Sequence, residues 1–374
     1  MKNRVIAAIL ACVVILAGLT ACGRAKRIPV EGKILIFAGS ANTAPIETAF
    51  ARELQNKYAV GAVLVNKASD EVFFDDAKFK EHVKKVVAGV KTLRAVMFAQ
   101  APNGTASAAR WIKDNYPDVR ISVCQPTEEP MLFMDVAKLV VDFDYDALAR
   151  GAAKQAKELG ANRFYYVYTA EQASESRQKI FLAALREQCE TEGLELSSYP
   201  STAARAIGIE AAKTYIQQLV LTENSVKPDG TVIAWYATDR VVNNSLTVAV
   251  LRAADGVLPG LSDGSPFAMC TPLMGSDWDS EMMRDTEAAI EQIRAAAILN
   301  GTNDRISLWQ ESLPAVAMEL ALSFQLANNP PWPSARNLPD RLSINKAKAI
   351  TVKKGNDDDK NYYVISCDIA KIKG

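Results

Sequence analysis

From Lys33 onward the chain alternates two hydrophobic patterns. Lys33-Ile-Leu-Ile-Phe-Ala-Gly39 is apolar without a polar partner at every second position, as in a strand buried on both faces. Ala44 to Tyr58 then places Ile46, Phe50 and Leu54 at helical spacing. The same pair of patterns recurs. Strands are expected at Ala62–Val65, Arg94–Gln100, Arg120–Gln125 and Lys138–Phe143, with helices around Phe79–Val90 and at Ser107–Tyr116. The alternation restarts with a helix at Tyr145–Leu159, stopped by Gly160. Strands follow at Phe164–Tyr168, Leu194–Tyr199, Thr231–Trp235 and Pro266–Cys270. The intervening helices are Ser176–Cys189, Ile207–Leu221 and Arg240–Ala253. Further helices are expected at Glu281–Leu299 and Leu313–Ala327, and a Pro- and Asn-rich loop at Asn328–Pro339. Lys348–Lys353 and Tyr362–Cys367 alternate as strands of a hairpin around Gly355–Lys360. Strands separated by helices imply βαβ units and parallel sheets. The fold class is α/β, with two Rossmann-like parallel-sheet lobes joined by a hinge.

The N-terminus follows neither pattern. Lys2 and Arg4 precede an uncharged stretch from Val5 to Leu19, shorter than the ~20 residues a membrane-spanning helix needs. It ends in Leu19-Thr20-Ala21-Cys22, which resembles a bacterial lipobox. A signal peptide is expected over residues 1–21, lipidation on Cys22, and a polar tether over residues 22–32. Two or more acyl chains give stable anchoring where one does not. The expected location is the outer face of the cell membrane, lipid-anchored and extracytoplasmic.

Composition narrows the function. The 374 residues carry 43 basic and 43 acidic side chains and one histidine; 49% are hydrophobic. Loss of residues 1–21 removes Lys2 and Arg4 and no acid, leaving 41 basic against 43 acidic, a net −2. Such a balance excludes disorder and speaks against nucleic acid, which calls for a basic face. Cys124, Cys189, Cys270 and Cys367 lack C-x-x-C spacing, so zinc is not expected; an exported location leaves disulfides open. No G-x-x-x-x-G-K-[ST] or G-x-G-x-x-G phosphate loop occurs. Asp357-Asp358-Asp359 lacks the spacing of a calcium loop and reads as a solvated turn. His82, on a helix among lysines, is expected to be solvated, which leaves a serine hydrolase without a base. The chain reads as a binder rather than an enzyme, with no cofactor.

Val141-Asp-Phe-Asp-Tyr-Asp-Ala-Leu-Ala-Arg150, continuing to Leu159-Gly160 and then Asn162-Arg-Phe-Tyr-Tyr-Val-Tyr168, resembles a known crossover. It is the passage into the second lobe of type-I periplasmic binding proteins and of the related sugar-repressor ligand domains. Arg177 with Phe181-Leu-Ala-Ala-Leu-Arg186 resembles the arginine and helix that follow there. Gly230-Thr-Val-Ile-Ala-Trp-Tyr-Ala-Thr-Asp239 resembles the strand ending in that family's ligand-facing Asn-Asp pair. Val257-Leu-Pro259 matches a further region loosely. The resemblance spans about residues 33 to 300, and implies a divergent lipoprotein family within that superfamily. The implied division is an N-terminal lobe over 33–143, a C-terminal lobe over 144–272, and a return with a C-terminal helix and hairpin over 273–374. The implied function is capture of a small-molecule ligand between the lobes for an ABC permease. A sensor that signals to a membrane receptor and a non-transport scaffold are the alternatives.

Ligands of open α/β sheets sit outside the carboxyl ends of the strands, so polar residues there are the candidates. They are Ser40, Asn42 and Thr43 after the first strand, and Gln100 and Asn103 after the third. Asp144 follows the hinge strand, Thr169 and Arg177 follow the first strand of the second half, and Asp239 ends its third. Each has a structural alternative. Asn42, Thr43, Asp144 and Asp239 could cap the helices that follow. Arg177 could pair with Glu175 or Glu171 on the surface. Trp235, Tyr236, Trp278 and Trp309 could stack on a flat ligand or pack in the core.

Overall fold

The computed structural model describes residues 27–169, 174–201, 208–253, 255–276, 280–327, 350–355 and 361–372, with Gln172, Trp278 and Pro333. The signal peptide, Cys22, most of the tether, the Asn328–Pro339 loop apart from Pro333, and Asp357–Asp359 lie outside them. Among the described residues, seven strands form one sheet and four form another. The first contains β1 (Lys33–Ser40), β2 (Val63–Ala68), β3 (Leu93–Phe98), β4 (Arg120–Cys124) and β5 (Leu139–Phe143). The C-terminal hairpin, β11 (Ile350–Lys354) and β12 (Tyr362–Cys367), completes it in the order β11-β12-β5-β4-β3-β1-β2. All pairings are parallel except β11 with β12. The second sheet, β7-β6-β8-β9, is wholly parallel. It consists of β6 (Arg163–Thr169), β7 (Glu195–Ser201), β8 (Ile233–Ala237) and the two-residue edge strand β9 (Gly256–Val257). A separate antiparallel pair joins β10 (Ser307–Trp309) to β13 (Ile369–Lys371).

Burial explains the unbroken apolar runs. On β1, Ile34, Ile36 and Ala38 enter one core, shared with Phe50 and Leu54 of helix Pro45–Lys57. Leu35 and Phe37 enter another, shared with Phe79 and Val83 of helix Asp76–Ala88. Alternate side chains thus bury on opposite faces, so no position is free to be polar. Pro45 at the helix start supplies a φ already suited to it.

The C-terminal third is woven into the first sheet. Helix Leu313–Leu326 is buried on nearly every side and packs against β4, β5 and helix Pro45–Lys57. Gln325 Nε2 donates to Val96 O at 2.7 Å, and Arg120 Nη1 donates to Ala327 O at 3.0 Å. β12 lies beside the strand that leads out of the first sheet, and Asp144 N donates to Ile365 O at 2.9 Å.

Several local expectations change. Pro266–Cys270 is not a strand: Pro266–Met269 is a 3₁₀ turn leading into helix Cys270–Met274. Ser265 Oγ accepts from Phe267 N there, and proline has no amide to give a ladder. Arg240–Ala253 begins as a 3₁₀ turn, Arg240–Val242, before helix Asn243–Arg252. His82 is half-buried rather than solvated, bonded to Asn66 Oδ1 at 2.7 Å and edge-on to Phe37; burial and then Lys85 lower its pKa. The four cysteines are free thiols, three of them buried.

Ile365 has no exposed surface and sits on a strand that spacing alone would treat as an appendage. Ile365→Ala should cost ~2–5 kcal/mol in urea unfolding, the range for a core truncation. A loss below about 1 kcal/mol would show that the hairpin is peripheral to the fold.

Candidate functional site

A cavity of about 360 Å³ opens between the carboxyl ends of the two sheets. That volume lies in the range of small-molecule sites. Thr43 and Gln100 reach it from the loops after β1 and β3, with Thr43 Oγ1 donating to Gln100 Oε1 at 2.9 Å. Gly39 makes this contact possible. Its φ is +104°, and a Cβ there would stand 2.5 Å from Ala44 Cβ and 2.8 Å from Gln100 Oε1. Opposite them, Thr169 ends β6 and donates to Gln172 Oε1 at 3.1 Å, and Thr238 beyond β8 bonds the same oxygen. Aromatic faces complete the wall. Phe181 stacks on Tyr236 with ring centres 4.9 Å apart, and Tyr145 lies beneath Arg177 at 6.0 Å.

Two guanidinium groups cross the cleft. Arg240 follows β8, yet its Nη1 donates to Glu47 Oε1 at 2.7 Å and its Nη2 to Gln125 Oε1, both from the first sheet's side. Gln125 Nε2 donates to Glu47 Oε1 at 2.9 Å, closing a triangle. Gln125 adopts a φ of +52°, a left-handed conformation unusual for a side chain of its size. Asp263 Oδ1 lies 4.0 Å from Arg240 Nε, and Asn243 Nδ2 bonds the other oxygen of Asp263. Burial opposes the charge of Arg240, but Glu47 and Asp263 outweigh it and raise its pKa. Burial likewise raises Asp263, against the pull of Arg240.

Arg177 bridges in the same sense. Its Nε donates to Glu175 at 2.7 Å, and its two terminal nitrogens reach Pro126 O at 3.4 Å and Thr127 Oγ1 at 3.3 Å. Burial works against its charge too, while Tyr145, Glu175 and Asp142 hold the pKa up. Asp142, next to last in β5, has 3% of its surface exposed, and burial pushes its pKa up to about 6 despite Arg177.

The residues expected from sequence divide accordingly. Thr43, Gln100, Asn103, Thr169, Arg177 and Asp239 line the cavity. Ser40 is buried beside it, bonded to Thr43 Oγ1 at 2.9 Å. Asn42 turns away, donating to Asp70 Oδ2 at 2.6 Å. Neither Asn42 nor Thr43 caps helix Pro45–Lys57, whose N-cap is Ala44. Asp144 caps helix Tyr145–Glu158 through Ala147 N, pairs with Lys353 at 2.9 Å, and borders a separate cavity by the hinge. Asp239 lines the cleft and also accepts from Val241 N at 3.1 Å. Arg177 does pair with Glu175, but inside the cleft. Tyr236 lines the cavity; Trp235 and Trp309 are buried in the core, and Trp278 packs on Phe267. Sequence reasoning missed Arg240 and Gln125, which line the cavity, and Glu47 and Asp142, which act on its arginines from outside the lining.

The serine-hydrolase elbow G-x-S-x-G, expected to be absent, does occur in the sequence as Gly260-Leu-Ser262-Asp-Gly264. Ser262 Oγ donates to Asn243 Oδ1 at 3.4 Å, and the chain's one histidine is bonded to Asn66. The loop leads to a 3₁₀ turn rather than joining a strand to a helix. No group of His, Cys, Asp and Glu among the described residues could hold a metal ion.

Comparison with solved structures defines the class. A putative transcriptional regulator from Clostridium difficile 630 is similar with a TM-score of 0.64 and 13% identity, over 91% of this chain and 99% of its own. An ABC transporter periplasmic solute-binding protein from Actinobacillus succinogenes 130z, crystallised with bound D-allose, is similar with a TM-score of 0.52 and 13% identity. That match covers 82% of this chain and 94% of the other. The shared architecture is the type-I periplasmic-binding-protein fold. No curated protein matches the sequence. The sequence profile of DUF3798, described as a protein of unknown function, matches residues 33–307, and the chain belongs to that family.

The Asp142 carboxyl yields a signed prediction. Its folded pKa of about 6 stands above the ordinary 3.8, so folding takes up a proton between those values. Its burial costs nothing below about pH 4 and destabilises increasingly as the pH rises to about 6. Asp142→Asn should therefore gain stability relative to the parent from pH 4 to pH 7, by roughly 2–3 kcal/mol. Urea unfolding across that range reads it; a pH-independent difference would contradict it.

Proposed function

We propose that the chain is an extracytoplasmic solute-binding lipoprotein. It captures a small polar ligand between two lobes and passes it to an ABC-type permease. The observation that supports this reading is the cavity of about 360 Å³, walled from both sheets by hydrogen-bonding side chains and stacked aromatics. Within it, Thr43, Gln100, Asn103, Thr169, Arg177 and Asp239 bind the ligand, joined by Gln172 and Tyr236. The fold shared with a D-allose-bound transport protein supports the same reading. Among the described residues no helix is long and apolar enough to cross a membrane. Attachment through acyl chains on Cys22 holds the protein at the membrane, on the strength of Leu19-Thr20-Ala21-Cys22.

Differential scanning fluorimetry of residues 23–374 against sugars, nucleosides, amino acids and vitamins tests the binding role. A ligand at 100 times its Kd should add about 2.7 kcal/mol of stability. Asp239→Ala should abolish that gain while costing the free protein about 1 kcal/mol, the worth of a cap. The absence of any stabilising ligand would overturn the reading. Cys22→Ser in the full chain should move the protein from the membrane to the soluble fraction of a bacterial host. Unchanged membrane attachment would overturn the anchor.

A further inference from the structure

The chain enters the fold at the amino edge of the first sheet, the edge opposite the cleft. Ile28 forms a parallel bridge with Tyr58; its N donates to Lys57 O and its O accepts from Ala59 N, both at 2.9 Å. Lys33 N donates to Thr92 O at 2.9 Å, and Arg94 Nη1 donates to Glu31 O at 3.2 Å. The entering segment is thus clamped between the turn before β2 and the turn before β3.

Two properties meet at that edge. Its tip is apolar and exposed: Val60 shows 86% of its surface and Ile28 41%. The surroundings of the tip are basic. Between Arg24 and Lys33 the sequence carries four basic residues against one acid, Glu31. The turn before β3 adds Lys91, which is exposed, and Arg94, which donates to the backbone carbonyls of Glu31 and Leu326. Lys57 is engaged by Glu319 at 3.8 Å and adds nothing. Farther along, before β4, Lys113 and Arg120 stand against Asp114 and Asp118 and cancel them. A single exposed valine is ordinary, but an apolar tip ringed by cations suits the interface of an anionic membrane.

The tether sets the distance. Cys22 is five residues from Arg27, at most about 18 Å of extended chain. With acyl chains on Cys22 in the bilayer, this edge stays within about two Debye lengths of the headgroups at physiological ionic strength.

We infer that the amino edge of the first sheet, around Ile28, Val60 and Lys91, rests on an anionic phospholipid bilayer. This inference rests on the lipid-anchored reading above and adds a second contact to it. Val60 and Ile28 enter the headgroup layer, and Arg27, Lys33, Lys91 and Arg94 face lipid phosphates. The contact is too weak to hold the protein alone; it orients what the acyl chains hold. β1, eight residues and about 25 Å long, runs from this edge to the cleft, so the cleft is turned away from the bilayer.

Flotation of residues 23–374 with lipid vesicles tests the contact without the acyl chains. At low ionic strength, phosphatidylglycerol vesicles should bind at least about tenfold more tightly than phosphatidylcholine vesicles, and about 0.5 M salt should abolish the difference. Arg27→Gln and Lys91→Gln should each weaken binding about fivefold. Val60→Ser should weaken it by about threefold or more. Leu299→Ser, at a leucine 87% exposed at the end of helix Thr286–Leu299, should change nothing. All four side chains are exposed, and unchanged urea midpoints will show that the variants fold. Absence of binding to phosphatidylglycerol, equal binding to both lipids, or indifference to any of the first three substitutions overturns the inference. So does an equal loss from Leu299→Ser. Failure of the anchor itself shows instead in the Cys22→Ser fractionation, which vesicle binding does not touch.

Discussion

Arg240 is a largely buried cation, placed between two sheets built from different parts of the chain. A buried charge is tolerated when it is paired and its donors are satisfied; unpaired, it costs several kcal/mol. Its partners come from the first sheet's side, Glu47 from the helix after β1 and Gln125 from the end of β4, and Arg240 follows β8 of the second sheet. The lobes must therefore meet in one register for the charge to be accommodated. Much of the local geometry follows from that requirement. Gln125 takes a left-handed backbone conformation and offers its amide to Glu47 and to Ala99 O at once. Glu47 stands in the first turn of its helix with no exposed surface.

The same constraint shapes the cleft. Parallel sheets gather the carboxyl ends of their strands on one edge, and here two such edges face each other. Arg240 and Arg177 bridge the gap at its floor, so the remaining space is bounded by fixed donors and acceptors. Arg177 also ties the cleft to the hinge. It touches Thr127 on one side and feels Asp142, the buried acid of β5, on the other. The stacked rings of Tyr166, Phe181 and Tyr236 give the second lobe a rigid wall.

What the sequence made legible was local. The unbroken run Ile34–Ala38 marked a strand buried on both faces, and Pro45 marked the helix after it. Asp144 could be read as a cap, and Tyr362–Cys367 as half of a hairpin. The residues after β1, β3, β6 and β8 could be placed at the cleft because chain direction alone puts them there. The central triangle could not be read. Arg240 and Glu47 are 193 positions apart, and neither disturbs the periodicity around it. Pro266–Cys270 misled because five mostly apolar residues suit a strand or a buried turn equally, and only Ser265 and Pro266 hint at the turn. Likewise, nothing local in Tyr362–Cys367 says that it lies parallel to β5, since that depends on the path of the whole chain.

The account stands on the claim that Arg240 and Glu47 hold the two halves together as one buried pair. A double-mutant cycle with Arg240→Met and Glu47→Leu, read by urea unfolding, tests it most directly. The account predicts a coupling energy of at least about 1.5 kcal/mol, with each single variant more damaging than the pair combined would suggest. Additive losses, with coupling near zero, would contradict it.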